Sequence, residues 1–130
     1  DNDDKYAKLT RKKIGLEKLS DIAKVVTAEL KIQIINGQNY MWYDPFFVKE
    51  INENIDLLIV DAPPRIINKN ACYPAIPMLK NHFSDNIIIL VDDGKRKDDS
   101  DTVKRWIDEW DYFESEFFAT EKGAYILREK

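Results

Sequence analysis

Three aspartates follow two strongly apolar segments of the sequence. Asp61 comes directly after Ile55–Val60, and Asp92 and Asp93 come directly after residues 86–91, which are apolar apart from Asn86. Runs this continuous are typical of strands covered on both faces, and ligands of open α/β sheets bind beyond the carboxyl ends of such strands. Neighbouring strands lie about 4.8 Å apart, so the three carboxylates would converge and repel. The pattern indicates a site for an Mg²⁺-type ion; solvent-screened acids at strand ends are the alternative.

The other side chains with chemical potential favour structural roles. We expect Cys72 to be a small core residue and His82 to lie at the surface or half-buried. An aromatic cluster suits either a substrate pocket or, more commonly, a core or an interface. It comprises Tyr40, Trp42, Tyr43, Phe46 and Phe47. No two of the 4 glycines are close together, so the chain contains no glycine-rich nucleotide-binding loop.

Length and composition predict one domain that covers residues 1–130. A chain of 130 residues that is 44% hydrophobic can bury a core but is too short for two domains. The single cysteine fits a reducing, cytoplasmic compartment. A net charge of −4 without a basic stripe argues against nucleic-acid binding, and no apolar run approaches a membrane span. The chain begins with Asp1 rather than methionine and has no basic signal-peptide start, so we expect part of a longer protein or a trimmed chain.

Helices alternate with strands along the sequence. In the first half of the chain we predict a helix over residues 3–16, a strand over 23–27, a hairpin over 31–42, a helix over 44–52 and a strand over Ile55–Val60. The second half continues with a helix over 73–83, a strand over 86–91, a helix over 100–110 and a terminal strand pair over 112–127. Asp3 or Asp4 can cap the first helix. Asn36-Gly37 predicts the hairpin turn, because both turn residues must tolerate positive φ.

This alternation predicts an α/β protein. Strands separated by helices form βαβ units and therefore a mostly parallel sheet between two layers of helices. The last two strands are joined by a tight turn at residues 121–123, so they must run antiparallel. We therefore expect a three-layer, mostly parallel sheet that ends in an antiparallel β-hairpin.

The order of these motifs resembles the class I S-adenosylmethionine-dependent methyltransferases. The resemblance rests on IDLLIVDAPP (55–64), YPAIPML (73–79), IIILVDDGKR (87–96), VKRWIDEW (103–110) and the closing hairpin. Upstream, residues 1–16 resemble the acidic turn after the second strand of that family and the helix behind it. KVVTAEL (24–30) resembles the third strand and its adenine-side loop, and NGQNYMWYD (36–44) an inserted hairpin of one bacterial subgroup. The resemblance implies the C-terminal two-thirds of a Rossmann-like domain.

The resemblance implies S-adenosylmethionine as the cofactor. The acid after the second strand holds the ribose hydroxyls in that family, and Asp1 is the first choice for this role, with Asp3 as the second. The residues after the third strand lie along the adenine. They correspond here to Thr27, Ala28 and Glu29.

The resemblance also implies an acceptor side of the site. Asp61 matches the acidic position near the transferred methyl group. Together with Asp92 and Asp93 it matches the positions that bind Mg²⁺ in metal-dependent O-methyltransferases of similar architecture. Such a metal lowers the pKa of a substrate hydroxyl and orients it. Tyr43 falls in the expected acceptor pocket, and O-methyl transfer to a small hydroxylated molecule is the expected function.

One departure from the family keeps two alternatives open. The first strand, with its glycine-rich loop, would precede Asp1, so we expect a partial domain that can be inactive alone. A homodimer that covers the exposed strand edge is a further expectation. The first alternative is a non-catalytic oligomerisation or binding module with a degenerate methyltransferase fold. The second is a flavodoxin- or receiver-like domain with Asp61 as phosphoacceptor, against which the terminal hairpin argues.

Overall fold

Six strands form two separate sheets in the computed structural model, which describes residues 1–61, 63 and 66–130. Ala62, Pro64 and Arg65, in the loop predicted after Asp61, lie outside the described residues. The smaller sheet is an antiparallel pair, β1 (Leu30–Ile35) and β2 (Gln38–Tyr43). The larger sheet contains β3 (Ile55–Val60), β4 (Phe83–Val91), β5 (Phe113–Phe118) and β6 (Ala124–Glu129). Its strand order is β3-β4-β6-β5.

The larger sheet is mixed. Strands β3 and β4 are parallel and pair Leu58 with Ile89 and Val60 with Val91. Strand β6 runs antiparallel to both β4 and β5, so the last strand of the chain lies between them. The prediction of an α/β protein with a parallel strand pair and a terminal antiparallel hairpin is confirmed. The described sheet is mixed rather than clearly mostly parallel, because β3 and β4 form the one parallel pair among the described strands and β6 runs opposite to both of its neighbours.

Helix α3 (Lys97–Glu109) covers one face of the larger sheet. Its buried residues Val103 and Trp106 join the core with Ile87, Ile89 and Val91, which point to the same face of β4. The indole N–H of Trp106 donates to the backbone oxygen of Tyr73 at 3.0 Å, which fixes the segment before α2 (Ala75–Leu79) against α3. The predicted apolar face of this helix is thus the face that packs on the sheet.

The opposite face of the larger sheet is largely open. Leu57 is 55% exposed, Ile59 60% and Ile88 40%. The expectation that both apolar strands are covered on both faces is therefore wrong for the described residues. An apolar run shows that a strand prefers burial, but burial also requires a partner layer, and none of the described helices packs there.

The hairpin between β1 and β2 turns at Asn36-Gly37, as predicted. Both residues have positive φ, 51° at Asn36 and 74° at Gly37. Tyr40 and Trp42 lie on the inner face of the hairpin, and their side chains, each 4% exposed, belong to the hydrophobic core. The aromatic cluster is thus divided: these two side chains are core residues, whereas Phe46 is 61% exposed.

Several predicted helices and strands differ in the structure. Helix α1 (Asp4–Leu16) is capped by Asp3, whose carboxylate accepts from the backbone N–H groups of Lys5 and Tyr6. The predicted helix over 44–52 is a 3₁₀ helix, Pro45–Glu50, and the one over 73–83 is reduced to α2 and a 3₁₀ turn, Lys80–His82. Residues 23–27 form no strand, and Val26 instead makes a single backbone hydrogen bond to Asp1. None of the described helices has the length and hydropathy needed to cross a membrane.

A carboxyl–thiol pair is buried beneath the start of α3. Asp99 is 7% exposed and Cys72 is 8% exposed, and the thiol donates to Asp99 Oδ1 at 3.6 Å. Asp99 Oδ2 has no hydrogen-bond partner among the described residues. Burial raises the pKa of Asp99, and it also raises the pKa of Cys72, to about 12. Cys72 is therefore a protonated core thiol rather than a nucleophile.

Replacing Asp99 with asparagine is expected to stabilise the protein increasingly as pH rises. Because the pKa of Asp99 is raised in the folded state, the folded state binds the proton more tightly than the unfolded state does. The free energy of unfolding therefore falls as pH increases from about 3.9, the unfolded-state pKa, through the folded-state pKa. Asparagine removes this fall. Urea unfolding of both proteins between pH 4.5 and 8, with the exposed Asp108→Asn as control, measures it, and a pH-independent difference would contradict the account.

Candidate functional site

The acidic site lies where β3 and β4 end side by side. Val60 and Val91 are register partners, and the backbone N–H of Asp92 donates to Val60 O at 3.2 Å, so Asp61 and Asp92 occupy adjacent positions. One carboxylate oxygen each from Asp61, Asp92 and Asp93 lie within 4.8 Å of one another. The parallel pairing of the two strands thus brings together the three aspartates that the sequence singled out.

The three carboxylates have different surroundings. Asp61 is exposed, Asp92 is half-buried and Asp93 is 6% exposed. Asp93 forms an ion pair with Arg96, and its Oδ1 lies 3.7 Å from Nζ of Lys122. Among the described residues, Asp61 and Asp92 take part in no ion pair. A cation at this cluster would therefore find two carboxylates that pair with no described basic side chain, and it would share the third with Arg96 and Lys122.

The loop that carries Asp92 and Asp93 is fixed by the turn between β5 and β6. Gly94 N donates to Gly123 O at 2.8 Å, and Lys95 N donates to Lys122 O at 2.9 Å. Asp93 itself has a φ of 59°, and Arg96 N donates to its backbone oxygen at 2.8 Å. Asp93 adopts this unfavourable backbone conformation because the loop is held from both sides.

These distances suit a divalent cation that binds oxygen. Magnesium holds its ligands at about 2.0–2.1 Å, so neighbouring ligands of its octahedron lie about 3 Å apart and only opposite ones about 4.2 Å. The three carboxylate oxygens, which lie within 4.8 Å of one another, must therefore draw closer together to share one magnesium ion. Calcium, with ligands at about 2.3–2.6 Å, requires less movement. The ion pairs of Asp93 oppose binding, so we expect any cation to be held weakly.

A second group of predicted residues meets at the start of the chain. Asp1 N donates to Val26 O, and Ala28 N donates to Asp1 O, both at 2.9 Å. These two bonds hold Asp1 alongside Thr27 in an isolated backbone contact that belongs to neither sheet. Arg11 supports it from α1 by donating to Val25 O at 3.1 Å and to the Thr27 hydroxyl at 2.5 Å.

This contact between Asp1 and residues 26–28 forms one wall of an apolar cavity of about 290 Å³. The cavity is lined by Asp1, Val26, Ala28, Tyr43 and Phe47. Of the residues predicted for the cofactor, Asp1 and Ala28 line it, whereas the Thr27 hydroxyl is engaged by Arg11 and Glu29 is not part of the lining. Asp3 serves instead as the cap of α1. Val26 and Phe47 were not predicted for this role, although Phe47 belongs to the aromatic cluster.

Tyr43 separates this cavity from a second one. The second cavity, of about 160 Å³, is lined by Trp42, Tyr43, Phe47, residues 58–61, Ala75 and Leu79. Among the described lining residues, Asp61 is the one carboxylate and the others are apolar or aromatic. Burial raises the pKa of the Tyr43 hydroxyl, and the negative charge of Asp61 raises it further. The indole N–H of Trp42 is buried and has no hydrogen-bond partner among the described residues.

The two cavities and the acidic cluster thus follow one another along one side of the molecule. Tyr43 and Phe47 line both cavities, and Asp61 belongs to both the second cavity and the acidic cluster. The first cavity is an apolar space beside the exposed carboxylate of Asp1. The aromatic wall formed by Tyr43 and Phe47 separates it from the second cavity, and the carboxylate cluster lies beyond that. Neither models of known protein families nor the curated proteins give a match to this chain, so the geometry alone must support a function.

Proposed function

We propose that this chain carries the C-terminal part of a class I S-adenosylmethionine-dependent methyltransferase domain, which transfers a methyl group to a hydroxyl of a small molecule. One observation carries the proposal. Asp1, Ala28 and Tyr43, which are far apart in the sequence, line the same apolar cavity. The resemblance to methyltransferases assigns the first two to the cofactor and the third to the adjoining acceptor pocket.

The larger sheet is consistent with this proposal. The resemblance implies two parallel strands that end in acidic residues, followed by a helix and an antiparallel hairpin. Strands β3, β4, β6 and β5 have this arrangement, with α3 between β4 and the hairpin. The finer, three-layer Rossmann-like architecture is part of the proposal, since the described chain contains a four-stranded mixed sheet.

The first cavity suits an adenosine group. Tyr43 and Phe47 offer aromatic faces for an adenine ring, and base–aromatic stacking contributes about 1–3 kcal/mol. Because Tyr43 lines both cavities, it would serve the cofactor in addition to the acceptor pocket to which the resemblance assigns it. Asp1 Oδ1 accepts from Asp3 N at 2.9 Å, and no described residue donates to Oδ2. A carboxylate with one free oxygen at the rim of an apolar cavity is suited to accept hydrogen bonds from ribose hydroxyls.

Asp61 and the aromatic wall suit the acceptor. In the proposed reaction, the bond between carbon and the sulfonium sulfur breaks as the bond between carbon and the acceptor oxygen forms, and the hydroxyl proton is released. S-adenosylmethionine supplies the electrophilic methyl group, and a cation on Asp61, Asp92 and Asp93 would lower the pKa of the acceptor hydroxyl. Asp61 can also accept that proton directly, because it is exposed at the edge of the second cavity.

Calorimetric titration of S-adenosylmethionine and S-adenosylhomocysteine, with and without Mg²⁺, tests the proposal. We expect saturable one-to-one binding with a Kd below about 1 mM, which corresponds to about −4 kcal/mol. Asp1→Asn should weaken both ligands, since it removes the charge facing the ribose. The absence of binding to either ligand at millimolar concentration would contradict a cofactor site in this chain.

The metal is tested separately. Asp92→Asn removes one of the two carboxylates that form no ion pair within the described part of the chain, and it is expected to reduce Mg²⁺ or Mn²⁺ affinity at least about tenfold. Asp108→Asn, in an exposed part of α3, is the matched control, because it changes net charge equally. If the two substitutions reduce cation affinity equally, the cations bind through the overall charge of the protein and not at the carboxylate cluster.

The ion pairs of Asp93 favour the non-catalytic module as a second candidate. Arg96 and Lys122 already neutralise the most buried carboxylate of the cluster, so that carboxylate is held without a cation. This candidate predicts that divalent cations leave the melting temperature unchanged and that neither cofactor form binds.

A further inference from the structure

A third cavity lies on a different part of the molecule, between the β1–β2 hairpin, the loop before α2 and the outer side of α3. Its volume is about 390 Å³, within the range of small-molecule sites. Four of its lining residues carry carboxamides, namely Gln38, Asn39, Asn68 and Asn70. The other three are Tyr40, Lys69 and Arg105. It shares no lining residue with the cavities beside Tyr43.

Arg105 is held rigidly at this cavity. Its Nη1 donates to the Tyr40 hydroxyl at 2.6 Å and to Gln38 Oε1 at 3.1 Å, and its Nε donates to Glu109 at 2.6 Å. The guanidinium carbon lies 3.6 Å from the centre of the Tyr73 ring. Among the described residues, Arg105 Nη2 has no acceptor. A guanidinium fixed on three sides can bind a ligand with little further loss of side-chain entropy.

The free groups of the cavity are mostly hydrogen-bond donors. Gln38 uses its amide oxygen to accept from Tyr40 and Arg105, which leaves its NH₂ group without a described partner. Asn39 is exposed and makes no side-chain hydrogen bond with the described residues. The amide oxygen of Asn70 is buried and unpartnered, while Asn68 is already engaged with Met41 N and Lys69 O.

The charged side chains that line the cavity are both basic, whereas Asp98 lies outside the lining and its Oδ2 accepts from Asn70 N at 2.7 Å. Lys69 is exposed and forms no ion pair with the described carboxylates, and no carboxylate is among the lining residues. Glu109 balances Arg105 from outside the lining, so Lys69 supplies the net positive charge. A ligand that complements this surface presents an oxyanion together with several further hydrogen-bonding oxygens.

We infer that this cavity binds a small, hydroxyl-rich molecule that carries one phosphate or carboxylate group. Arg105 and Lys69 receive the oxyanion, and the free amides of Gln38 and Asn39 hydrogen-bond the hydroxyls. Phosphate and carboxylate share this recognition chemistry, and they are distinguished by comparing one ligand of each kind.

Titration with four probes tests the inference. Glucose 6-phosphate and glucuronate each carry an oxyanion and hydroxyls, inorganic phosphate carries only the anion, and glucose carries only hydroxyls. We expect one of the first two to bind at least about tenfold more tightly than inorganic phosphate and glucose do. The tighter of the two identifies the anion. The inference would be overturned if inorganic phosphate or glucose bound as tightly as the tighter of the first two probes. It would also be overturned if no probe bound at about 10 mM.

Two matched lysine variants locate the site. Lys69→Ala is expected to weaken the binding probe about fivefold to tenfold, and Lys104→Ala, in an exposed position of α3 outside the cavity, is expected to leave it unchanged. Arg105→Lys keeps the charge but loses the planar fork, and circular dichroism verifies that it folds. Equal effects of Lys69→Ala and Lys104→Ala would contradict the location. Because the cavities are separate, these results do not depend on whether S-adenosylmethionine binds.

Discussion

Replacing Gly123 with alanine is expected to lower the free energy of unfolding by about 2–4 kcal/mol, since it combines an unfavourable φ with a backbone collision. Gly123 has a φ of 75°. A Cβ atom there would lie 2.8 Å from the backbone nitrogen of Lys95 and 2.9 Å from Cε2 of Phe117. The backbone contact cannot be relieved by rotating a side chain. The turn and the loop must therefore move apart.

This movement would reach the acidic cluster. The hydrogen bonds from Gly94 N to Gly123 O and from Lys95 N to Lys122 O fix the loop that carries Asp92 and Asp93. We therefore expect Gly123→Ala to reduce divalent-cation binding as well as stability, although residue 123 contributes no ligand. Urea unfolding measures the first effect and calorimetry the second.

Two other glycines provide matched controls. Gly37 also has a positive φ, 74°, but nothing lies within 4 Å of its Cβ position, so Gly37→Ala isolates the conformational cost of about 1–2 kcal/mol. Gly15 lies in α1 with open space around it, and Gly15→Ala is expected to stabilise the protein by about 0.5–1 kcal/mol. If Gly123→Ala costs no more than Gly37→Ala, the close approach of the two loops does not constrain the site.

Replacing Tyr43 with alanine is expected to weaken S-adenosylhomocysteine binding by about 5-fold to 150-fold, which corresponds to the 1–3 kcal/mol of one base–aromatic contact. Tyr43 is half-buried and lines both cavities of the proposed site. Its ring packs edge-on against Trp42 at 5.2 Å and against Phe47 at 6.2 Å. Its removal therefore opens one cavity into the other and also frees Phe47.

Further variants separate the loss of aromatic stacking from the loss of apolar packing and the loss of the Tyr43 hydroxyl. Tyr43→Leu retains an apolar side chain and should preserve folding, but it should weaken the ligand nearly as much as Tyr43→Ala if stacking is responsible. Tyr43→Phe should leave cofactor affinity unchanged, since the adenine would use the ring and not the hydroxyl. Tyr6→Ala, at a position in α1 that is 58% exposed, is the control for loss of an aromatic residue. If Tyr43→Ala binds S-adenosylhomocysteine as tightly as the unsubstituted protein does, Tyr43 does not contact the adenine.

The sequence predicted those features that depend on local chemistry. Asn36-Gly37 must turn because both residues accept positive φ, and the structure confirms this turn. The spacing of Val103 and Trp106 predicted the buried face of α3. The convergence of Asp61 and Asp92 followed from two apolar runs that end in acids, because parallel neighbours end at the same edge of a sheet.

Features that depend on distant partners could not be predicted in this way. Leu57 and Ile59 have the sequence of a fully covered strand, yet they are exposed, because coverage is determined by another layer. The pairing of Asp93 with Lys122 depends on where the β5–β6 turn docks. Asp1 and Ala28 were assigned only through the resemblance to methyltransferases. Val26 joins them because of its backbone bond to Asp1, which no side-chain pattern reveals.

The proposed function requires that Asp1, Ala28, Tyr43 and Phe47 form an adenosine-binding cavity. Its most direct test is to follow the backbone amide resonances of ¹⁵N-labelled protein during a titration with S-adenosylhomocysteine. We predict saturable shifts at residues 26–28, 43 and 47, and smaller shifts at residues 92 and 93. The absence of shifts at millimolar ligand, or shifts confined to the cavity beside Arg105, would contradict the claim.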